Sequence, residues 1–335
     1  MNPLKKGDPA TIGGIALRGR LGEGGMGTVY FGVMPDGDRV AVKTIRRDLT
    51  ANEEARDRFE REMLVLGMVT GPRIAALLAA SEPDEVPQWF ATEYVQGLTL
   101  TEYIQERGPL TTTMAAALGV MLAEGLKDIH AADLMHRDFK PSNVILGEDG
   151  PRVIDFGLAG LADGTGDITH TSQLLGTPAC MAPEQARSPK DLTAAVDVYA
   201  LGVVLMFALT GRYPYDRPTV QSMLFAIADP GTDPDLTGLP ADIKDLIGSV
   251  LAHHPQQRPG LAQVTTELSN LLDNPAQREV EFAQLTYIER DDDPPPAPPA
   301  PRRGKRLAGE PHVPSDLVHD VAENLRREYA RGAAL

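Results

Sequence analysis

The sequence has almost no cysteine, no apolar run long enough for a membrane span and too few basic residues to balance its acids. Cys180 is the only cysteine, so no intrachain disulfide can form, which fits a reducing cytoplasm. The best membrane-span candidate, residues 198–209, has about a dozen residues where about 20 are needed, so we predict a buried core helix. The first ten residues contain no apolar signal-peptide region, so we expect no secretory leader.

The charge balance excludes two broad classes of partner. Asp and Glu together number 47 and Lys and Arg 32, which gives a formal net charge of −15. Nucleic acids and anionic membrane surfaces would repel such a chain, although a local basic patch stays open. With 335 residues and 42% hydrophobic side chains, the chain can bury a large core, in about two domains or one bilobal domain.

Local patterns predict a sheet first and helices afterwards. Residues 12–43 read as strands around a hairpin turn at 35–38. A helical pattern follows at 53–69, strand-like stretches resume over 74–95, and from Thr112 onward the pattern is mostly helical. This order predicts an α+β fold with a small sheet lobe and a larger helical lobe.

The composition changes after about residue 273. Residues 291–301 are acidic and then proline-rich, and a basic cluster follows, so we predict an extended linker over 273–313. Residues 314–331 regain helical spacing of apolar side chains and predict an amphipathic helix. About seventeen residues cannot bury such a face alone, so we expect this helix to dock on the large lobe in cis, on a partner protein or on a second copy.

A glycine-rich turn lies in the first strand region. Residues 22–29 read GEGGMGTV and fit the pattern G-x-G-x-x-G-x-V. Glycines in such a turn let backbone amides close over phosphates. A dinucleotide-binding turn would open a helix, whereas β-like residues follow here. The motif alone leaves a tight hairpin and a phosphate-binding loop equally open.

The most informative stretch is HRDFKPSN at 136–143, followed by DFG at 155–157. Asp138, Lys140 and Asn143 supply a carboxylate, an ammonium and an amide at fixed offsets, and Asp155 adds a second carboxylate. Such a set can take a proton from a hydroxyl, neutralise a phosphate and hold Mg²⁺, which prefers hard oxygen ligands.

Taken in order, the motifs resemble those of protein kinases. The glycine-rich loop, a strand ending in Lys43, HRDFKPSN, DFG and an Ala-Pro-Glu ending in Glu184 follow the family's order over about residues 11–272. The segments GGMG and MAPEQA are similar to the eukaryotic-like (Hanks-type) kinases of bacteria, especially actinobacteria. The resemblance implies a bilobal protein kinase fold over 12–272, with an N-lobe at about 12–91, a hinge at 92–96 and a C-lobe at 97–272.

The resemblance implies ATP and Mg²⁺ as cofactors, with Mn²⁺ as an alternative ion, and assigns the catalytic roles. Asp138 would orient the acceptor hydroxyl and take its proton, and Lys140 would lie near the γ-phosphate. The metal ligands would be Asn143 and Asp155.

The resemblance assigns the nucleotide contacts as well. Lys43 would touch the α- and β-phosphates and pair with Glu62 of the following helix. Thr92 would be the gatekeeper, ahead of the hinge. The implied ATP-binding residues are Leu21, Gly22, Glu23, Gly24, Gly25, Met26, Gly27, Val29, Ala41, Lys43, Thr92, Glu93, Val95 and Ile145.

The segment between DFG and Ala-Pro-Glu carries the candidate phosphorylation sites Thr169 and Thr171. In the family, an arginine placed like Arg137 pairs with such a phosphate, which brings about two negative charges. Thr177 would instead bond to the catalytic loop. Structural roles are also implied for Glu184 and Arg258, as a buried ion pair, and for Asp197, which would hold the catalytic-loop backbone.

Lys140 indicates the acceptor class, because HRDxKPxN accompanies serine and threonine acceptors in this family. We therefore expect a serine/threonine protein kinase that autophosphorylates and acts on proteins. A pseudokinase scaffold would have lost a lysine, a catalytic Asp or a metal ligand, and a small-molecule phosphotransferase lacks the Gly-Thr…Ala-Pro-Glu segment. An interaction module would fit only the tail. Cys180 stands where related chains have Tyr, either as a packing residue or, if exposed with a lowered pKa, as a site of oxidation.

Overall fold

A computed structural model gives the fold, and it describes residues 1–25, 27–50, 53–156, 178–187 and 192–290. Within these residues the predicted α+β architecture is observed, with a small sheet lobe followed by a larger helical lobe. The helix predicted at 314–331 and most of the predicted linker lie outside the described residues.

The small lobe is an antiparallel sheet with the spatial order β1-β2-β3-β4-β6-β5. Its strands are β1 (Thr11–Ile12), β2 (Ile15–Gly24), β3 (Gly27–Val33), β4 (Arg39–Ile45), β5 (Leu77–Ala80) and β6 (Trp89–Glu93), and its helix is α1 (Glu53–Leu66). β2 and β3 form a hairpin with Gly24 opposite Gly27, so the glycine-rich loop is the hairpin tip. The predicted strands and the predicted helix are thus observed, with the helix ending three residues earlier than predicted.

The two faces of this sheet bury different sets of side chains, as expected from the alternation along strands. One face packs Ile15, Leu17, Tyr30, Val40, Val42 and Trp89 into a separate cluster. The other face meets α1, whose Phe59, Met63 and Leu66 are buried in the main core together with Phe90. α1 is therefore held against the sheet beside the strand that carries Lys43.

The larger lobe is mostly helical. Its helices are α2 (Leu100–Arg107), α3 (Thr112–Ala131), α4 (Pro183–Arg187), α5 (Ala195–Thr210), α6 (Val220–Ala228), α7 (Ala241–Val250), α8 (Leu261–Ser269) and α9 (Pro275–Thr286). A small antiparallel sheet, β7 (Leu98–Thr99), β8 (Val144–Gly147) and β9 (Gly150–Val153), packs against α3 and α9 through β9. The segment that joins α3 to β8 carries the HRDFKPSN motif.

Helix α5 is the core helix that the apolar run predicts. Every residue from Val196 to Leu209 is buried, and α3 and α7 pack against it. Gly211 ends the helix in a left-handed conformation with φ 70°, the usual role of glycine at this position. No helix in the described part of the chain has both the length and the apolar character that a bilayer crossing needs.

Helix α9 differs from the prediction, which placed residues 275–286 in an extended linker. Asn274 caps its first turn through the N–H of Gln277, and Phe282 and Thr286 are buried on the face that meets α3. Arg73, before β5, donates to Glu279 at 2.9 Å. Only Phe282, Ala283 and Thr286 of its residues are buried, and the apolar Val280 and Leu285 are exposed, so the apolar residues of this stretch do not mark one buried helix face in the sequence.

Candidate active site

The catalytic loop brings three of the predicted residues together. Lys140 Nζ donates to Asp138 Oδ2 at 2.6 Å, and Asn143 Nδ2 donates to the backbone oxygen of Asp138 at 2.9 Å. The side chains of Asp138 and Lys140 are 27% and 18% exposed, so both are partly open to the cleft. An ionised carboxylate beside an ammonium, both accessible, can meet an incoming hydroxyl and phosphate.

The backbone of this loop is held in an uncommon conformation by a buried carboxylate. Arg137 in this loop has a φ value of 61°, and Asp155, which follows β9, has 58°, a region that residues other than glycine seldom adopt and that recurs at functional sites. Asp197, on α5, accepts the backbone N–H of His136 at 2.8 Å and of Arg137 at 2.9 Å. Because α5 lies in the core, the catalytic loop is fixed to a helix that is buried over nearly its whole length.

Lys43 and Asp155 meet across the cleft between the two lobes. Lys43 Nζ donates to Asp155 Oδ2 at 2.9 Å, and the two side chains are 11% and 33% exposed. Glu62, the predicted partner of Lys43, lies on α1 and is half-buried. Its ion pair with Lys43 stays a prediction, since the contact of Lys43 described here is with Asp155.

The predicted adenine-side residues share one face of the small sheet. Val29 lies opposite Lys43, and Ala41 lies opposite Thr92. Directly opposed residues project from the same face, as do residues two apart in a strand, so these four side chains form one surface. Leu21 and Ile145 are half-buried, on β2 and on β8 respectively.

The glycine-rich loop combines one obligatory glycine with three unconstrained ones. A side chain on Gly27, whose φ is +156°, would place its Cβ 1.7 Å from the carbonyl oxygen of Thr44. Nothing lies within 4 Å of the corresponding position at Gly22, Gly24 or Gly25. Their backbone can therefore be approached closely, as phosphate binding through amides demands.

The hinge begins at the end of β6. The N–H of Glu93 donates to the carbonyl of Ala76 at 3.0 Å, so an adenine contact by Glu93 would use its carbonyl. The Glu93 carboxylate accepts from Arg152 on β9 and from the N–H of Ala76, the latter at 3.2 Å. This residue therefore joins β6 to the small sheet of the larger lobe. Val95 follows two residues later and is half-buried.

The oxygen donors at the end of the cleft fit a hard divalent ion. The Asn143 amide nitrogen is bonded to the backbone of Asp138, which leaves Asn143 Oδ1 as the atom that can face a cation. Asp155 adds a carboxylate that already meets a positive charge, the ammonium of Lys43. A carboxylate and an amide oxygen are the kind of ligands that Mg²⁺ takes from proteins alongside substrate phosphates.

Comparison with known proteins decides the family. The family model for the protein kinase domain matches residues 15–268. The chain belongs to the protein kinase family. The serine/threonine-protein kinase AfsK of Streptomyces griseus is 43% identical over 259 residues, which are 76% of this chain and 32% of that protein. The probable serine/threonine-protein kinase PkwA of Thermomonospora curvata is 40% identical, over 80% of this chain and 36% of its own length.

A solved structure supports the same fold. The kinase domain of Mycobacterium tuberculosis PknI is 25% identical with a TM-score of 0.63, and the match covers 80% of this chain and 98% of that domain. The kinase spans about a third of the length of the curated relatives that it matches. The predicted resemblance to Hanks-type bacterial kinases is confirmed by these relatives, as is the bilobal kinase fold. Members of this family use ATP and a divalent metal ion.

A buried ion pair joins the Ala-Pro-Glu segment to the end of the kinase domain. Arg258 donates to both carboxylate oxygens of Glu184, at 2.6 and 2.7 Å. The Arg258 side chain is only 1% exposed, and its remaining N–H groups reach the carbonyls of Ala195, Ala252 and His253. Its guanidinium also stacks on the ring of Tyr199 at 4.9 Å. All the polar contacts of this cation are thus internal.

Two residues of the site were given no role in the sequence analysis. Gln185 Nε2 donates to the carbonyl of Arg137 at 3.0 Å, and its Oε1 accepts the N–H of Ala182 at 3.0 Å, so it ties α4 to the catalytic loop. His130 on α3 meets Asp197 Oδ2 at 2.8 Å. Gln185 follows Glu184 directly and His130 lies six positions before His136, but nothing in this spacing points to the contacts that they make.

The histidine of the HRD sequence is part of the core. His136 is fully buried with its ring edge-on to Phe139 at 5.3 Å and to Phe156 at 6.5 Å. Burial lowers the pKa of His136, although Asp197 and Asp138 pull it the other way. The neutral ring therefore acts as a packing group beneath the catalytic loop.

Cys180 is a packing residue, which is the simpler of the two expectations. It is 5% exposed within the core, and burial raises the pKa of its thiol well above the usual range. Thiolate is the reactive form, so the exposed, low-pKa condition for peroxide sensitivity is not met. The remaining predicted site residues, Met26, Thr169, Thr171 and Thr177, lie outside the described residues, as does Gly157.

Proposed function

We propose that this chain is a serine/threonine protein kinase. The observation that carries the proposal is the joint placement of Asp138, Lys140 and Asn143 on one loop, with Asp155 and Lys43 bonded to each other across the cleft. Phosphoryl transfer needs an oriented hydroxyl, a proton acceptor and positive charge on the phosphates, and little covalent chemistry from the protein. This set of residues offers each of them.

Asp138 would orient the acceptor hydroxyl and take its proton as the new oxygen–phosphorus bond forms and the bond to the departing ADP oxygen breaks. Lys140 would place its ammonium beside the transferred group. Asn143 and Asp155 would hold the divalent ion, for which we propose Mg²⁺ with Mn²⁺ as an alternative. ATP, bound with that ion, supplies the phosphoryl group. Lys43, paired with Glu62, would orient the α- and β-phosphates.

The acceptors we propose are serine and threonine hydroxyls of proteins. Two features support this class: Lys140, two residues after Asp138, and relatives that carry the name serine/threonine-protein kinase. The scaffold alternative would require a lost lysine, catalytic Asp or metal ligand. Lys43, Asp138, Asn143 and Asp155 are all present in this chain, with Lys43 bonded to Asp155 and Asn143 bonded to the backbone of Asp138.

Activation would run through phosphorylation of Thr169 and Thr171, with Arg137 as the partner of the phosphate. Mass spectrometry of protein produced with the intact and the Asp138→Asn enzyme tests this proposal. We expect phosphate on these two threonines only where the enzyme is intact. An active enzyme with both threonines unmodified would contradict the proposed activation by phosphorylation.

The direct test of the proposed function is transfer from [γ-³²P]ATP to a generic acceptor protein, with Mg²⁺, with Mn²⁺ and with a chelator. Acid hydrolysis of the labelled product then identifies the acceptor. We expect label on phosphoserine and phosphothreonine, metal dependence and no label on phosphotyrosine. Absence of transfer with either ion, or label confined to tyrosine, would contradict the proposal.

A further inference from the structure

The chain that precedes the kinase domain lies along the edge of the small sheet. The family model matches from residue 15, so residues 1–10, which we call the N-terminal segment, lie outside it. Asn2 and Arg20 nevertheless exchange two backbone hydrogen bonds, of 2.9 and 2.7 Å, in a β-bridge on β2. Leu4 packs against the buried cluster of the sheet. The N-terminal segment is thus attached to the strand that leads into the glycine-rich loop.

A buried carboxylate anchors this segment. The Asp8 side chain is 5% exposed and accepts from Arg20 Nε at 2.7 Å, from the backbone N–H of Lys5 at 2.6 Å and from the hydroxyl of Tyr30 at 3.0 Å. The hydrogen bonds from Arg20 hold the pKa of Asp8 well below its usual range. Two-point contact with a planar guanidinium fixes both partners in orientation. Arg20 is therefore held in place by the N-terminal segment.

The free arm of that guanidinium reaches the glycine-rich loop. Arg20 Nη1 donates to Glu23 Oε2 at 2.8 Å, and Lys5 Nζ donates to the same oxygen at 3.0 Å. Glu23 lies one residue from Gly22, which is opposite Val29 on the cleft face. Alternation along β2 sends the Glu23 side chain to the other face, away from the nucleotide site. Any effect of Glu23 on nucleotide binding must therefore be transmitted through the backbone of the glycine-rich loop.

We propose that the N-terminal segment positions the glycine-rich loop for nucleotide binding by holding Glu23 between Lys5 and Arg20. The inference rests on the kinase function proposed above, and it makes Lys5 and Arg20 positioning residues. Gly22, Gly24 and Gly25 lie at the tip of the β2–β3 hairpin, and glycine loses more conformational freedom than any other residue when its backbone is fixed, as it is when the loop closes on phosphates. A tether at Glu23 removes part of that freedom before the nucleotide arrives, which favours binding.

The size of the effect follows from the exposure of the contact. The side chains of Lys5 and Glu23 are 63% and 59% exposed, so salt screens their interaction. Exposed ion pairs of this kind change an equilibrium by about two- to fivefold. We therefore expect loss of Lys5 to raise KM for ATP by about two- to fivefold at low salt, to leave kcat nearly unchanged, and to have no effect at about 1 M salt.

The test uses the full chain with Lys5→Met and, as a matched control, Lys6→Met, whose side chain is exposed next to Lys5. KM for ATP, kcat and deuterium exchange of peptides that cover residues 20–30 are measured, the exchange without nucleotide. Lys5→Met should raise KM and accelerate exchange, and Lys6→Met should do neither. Glu23→Gln should reproduce the effect of Lys5→Met, and the double variant should add little to either single change.

Two results would overturn the inference. One is equal exchange in Lys5→Met, Lys6→Met and the wild type; the other is an unchanged KM for ATP in Lys5→Met at low salt. Absence of phosphoryl transfer in the wild type would contradict the proposed kinase function instead. The exchange comparison would still decide whether Lys5 restrains the loop. Lys5 is exposed, so its substitution does not disturb the core, and circular dichroism of each variant verifies this.

Discussion

The ammonium of Lys43 lies 2.9 Å from a carboxylate oxygen of Asp155, although 112 residues separate the two in the chain. One belongs to β4 of the small lobe and the other follows β9 of the larger lobe. The contact places a positive charge of the small lobe beside the carboxylate that we propose as a metal ligand. It also joins the two lobes at the site that we propose for the nucleotide.

Substitution of Lys43 should therefore stop turnover. Lys43→Met removes a preorganised positive charge from the site, a change that costs about 10²–10³ in rate when such a group faces developing charge. Lys43→Arg keeps the charge but not the compact ammonium and should recover only part of the rate. Steady-state transfer from ATP to a protein acceptor measures both. A Lys43→Met enzyme that turns over like the wild type would remove Lys43 from the proposed site.

Arg258 should contribute more to stability than Glu184, its partner. Arg258→Met leaves the Glu184 carboxylate without its cation, and breaking a buried ion pair from one side costs about 3–5 kcal/mol. In Glu184→Gln the arginine keeps its bonds to three carbonyls, so the loss should be smaller. Urea denaturation of both variants gives the two free energies of unfolding. Equal stability of Arg258→Met and wild type would show that the pair is not structural.

The end of the folded kinase domain can be located with two truncations. Removing residues after 290 retains α9 and should preserve stability and transfer to a generic acceptor. Removing residues after 274 deletes Phe282 and Thr286 from the core and Glu279 from Arg73, and large buried side chains cost about 3–5 kcal/mol each. Thermal melts compare the two. If the chain that ends at residue 274 is as stable as the chain that ends at residue 290, α9 belongs to the linker, as its composition suggests, and not to the folded domain.

The pH dependence of stability should reflect His136. Burial lowers its pKa, so between its ordinary value of about 6.5 and the lower folded value the unfolded chain binds more protons. Its contribution is present above about pH 6.5 and is lost as the pH falls, at up to about 1.4 kcal/mol per pH unit. His136→Phe keeps an aromatic ring without the titration and should flatten the profile. Denaturation at pH 7 and pH 5 tests this, and parallel profiles would contradict it.

The sequence predicted the placement of residues that act together where those residues are close neighbours in the chain. Asp138, Lys140 and Asn143 lie within six positions, so spacing alone places them on one loop. The sequence also predicted the core helix α5, because an apolar run that is too short to span a membrane indicates a buried helix. The protein kinase resemblance supplied what spacing could not, namely roles for Lys43 and Asp155 toward the same bound ATP and metal ion. It did not predict their direct contact, since it paired Lys43 with Glu62.

The contacts that the sequence did not reveal are those between distant segments. Lys5 and Glu23 are joined only because the N-terminal segment follows the edge of β2, and a lysine near a chain start normally reads as a solvated charge. α9 was missed because few of its side chains are buried, and packing on α3 rather than intrinsic preference stabilises it. In both cases contacts between segments that are distant in the sequence stabilise the observed arrangement.

We propose that Asp138 takes the proton of the acceptor hydroxyl in a site that other residues build for ATP. Asp138→Asn removes the proton acceptor and leaves the nucleotide contacts in place, and Asp149→Asn, an exposed aspartate beyond β8, is the matched control. The decisive measurement is transfer from [γ-³²P]ATP together with ATP affinity, in both variants and the wild type. We predict that Asp138→Asn binds ATP within about threefold of the wild type and transfers phosphate about 10²–10⁴ times more slowly, with Asp149→Asn unchanged. Transfer by Asp138→Asn at a rate close to that of the wild type would contradict it.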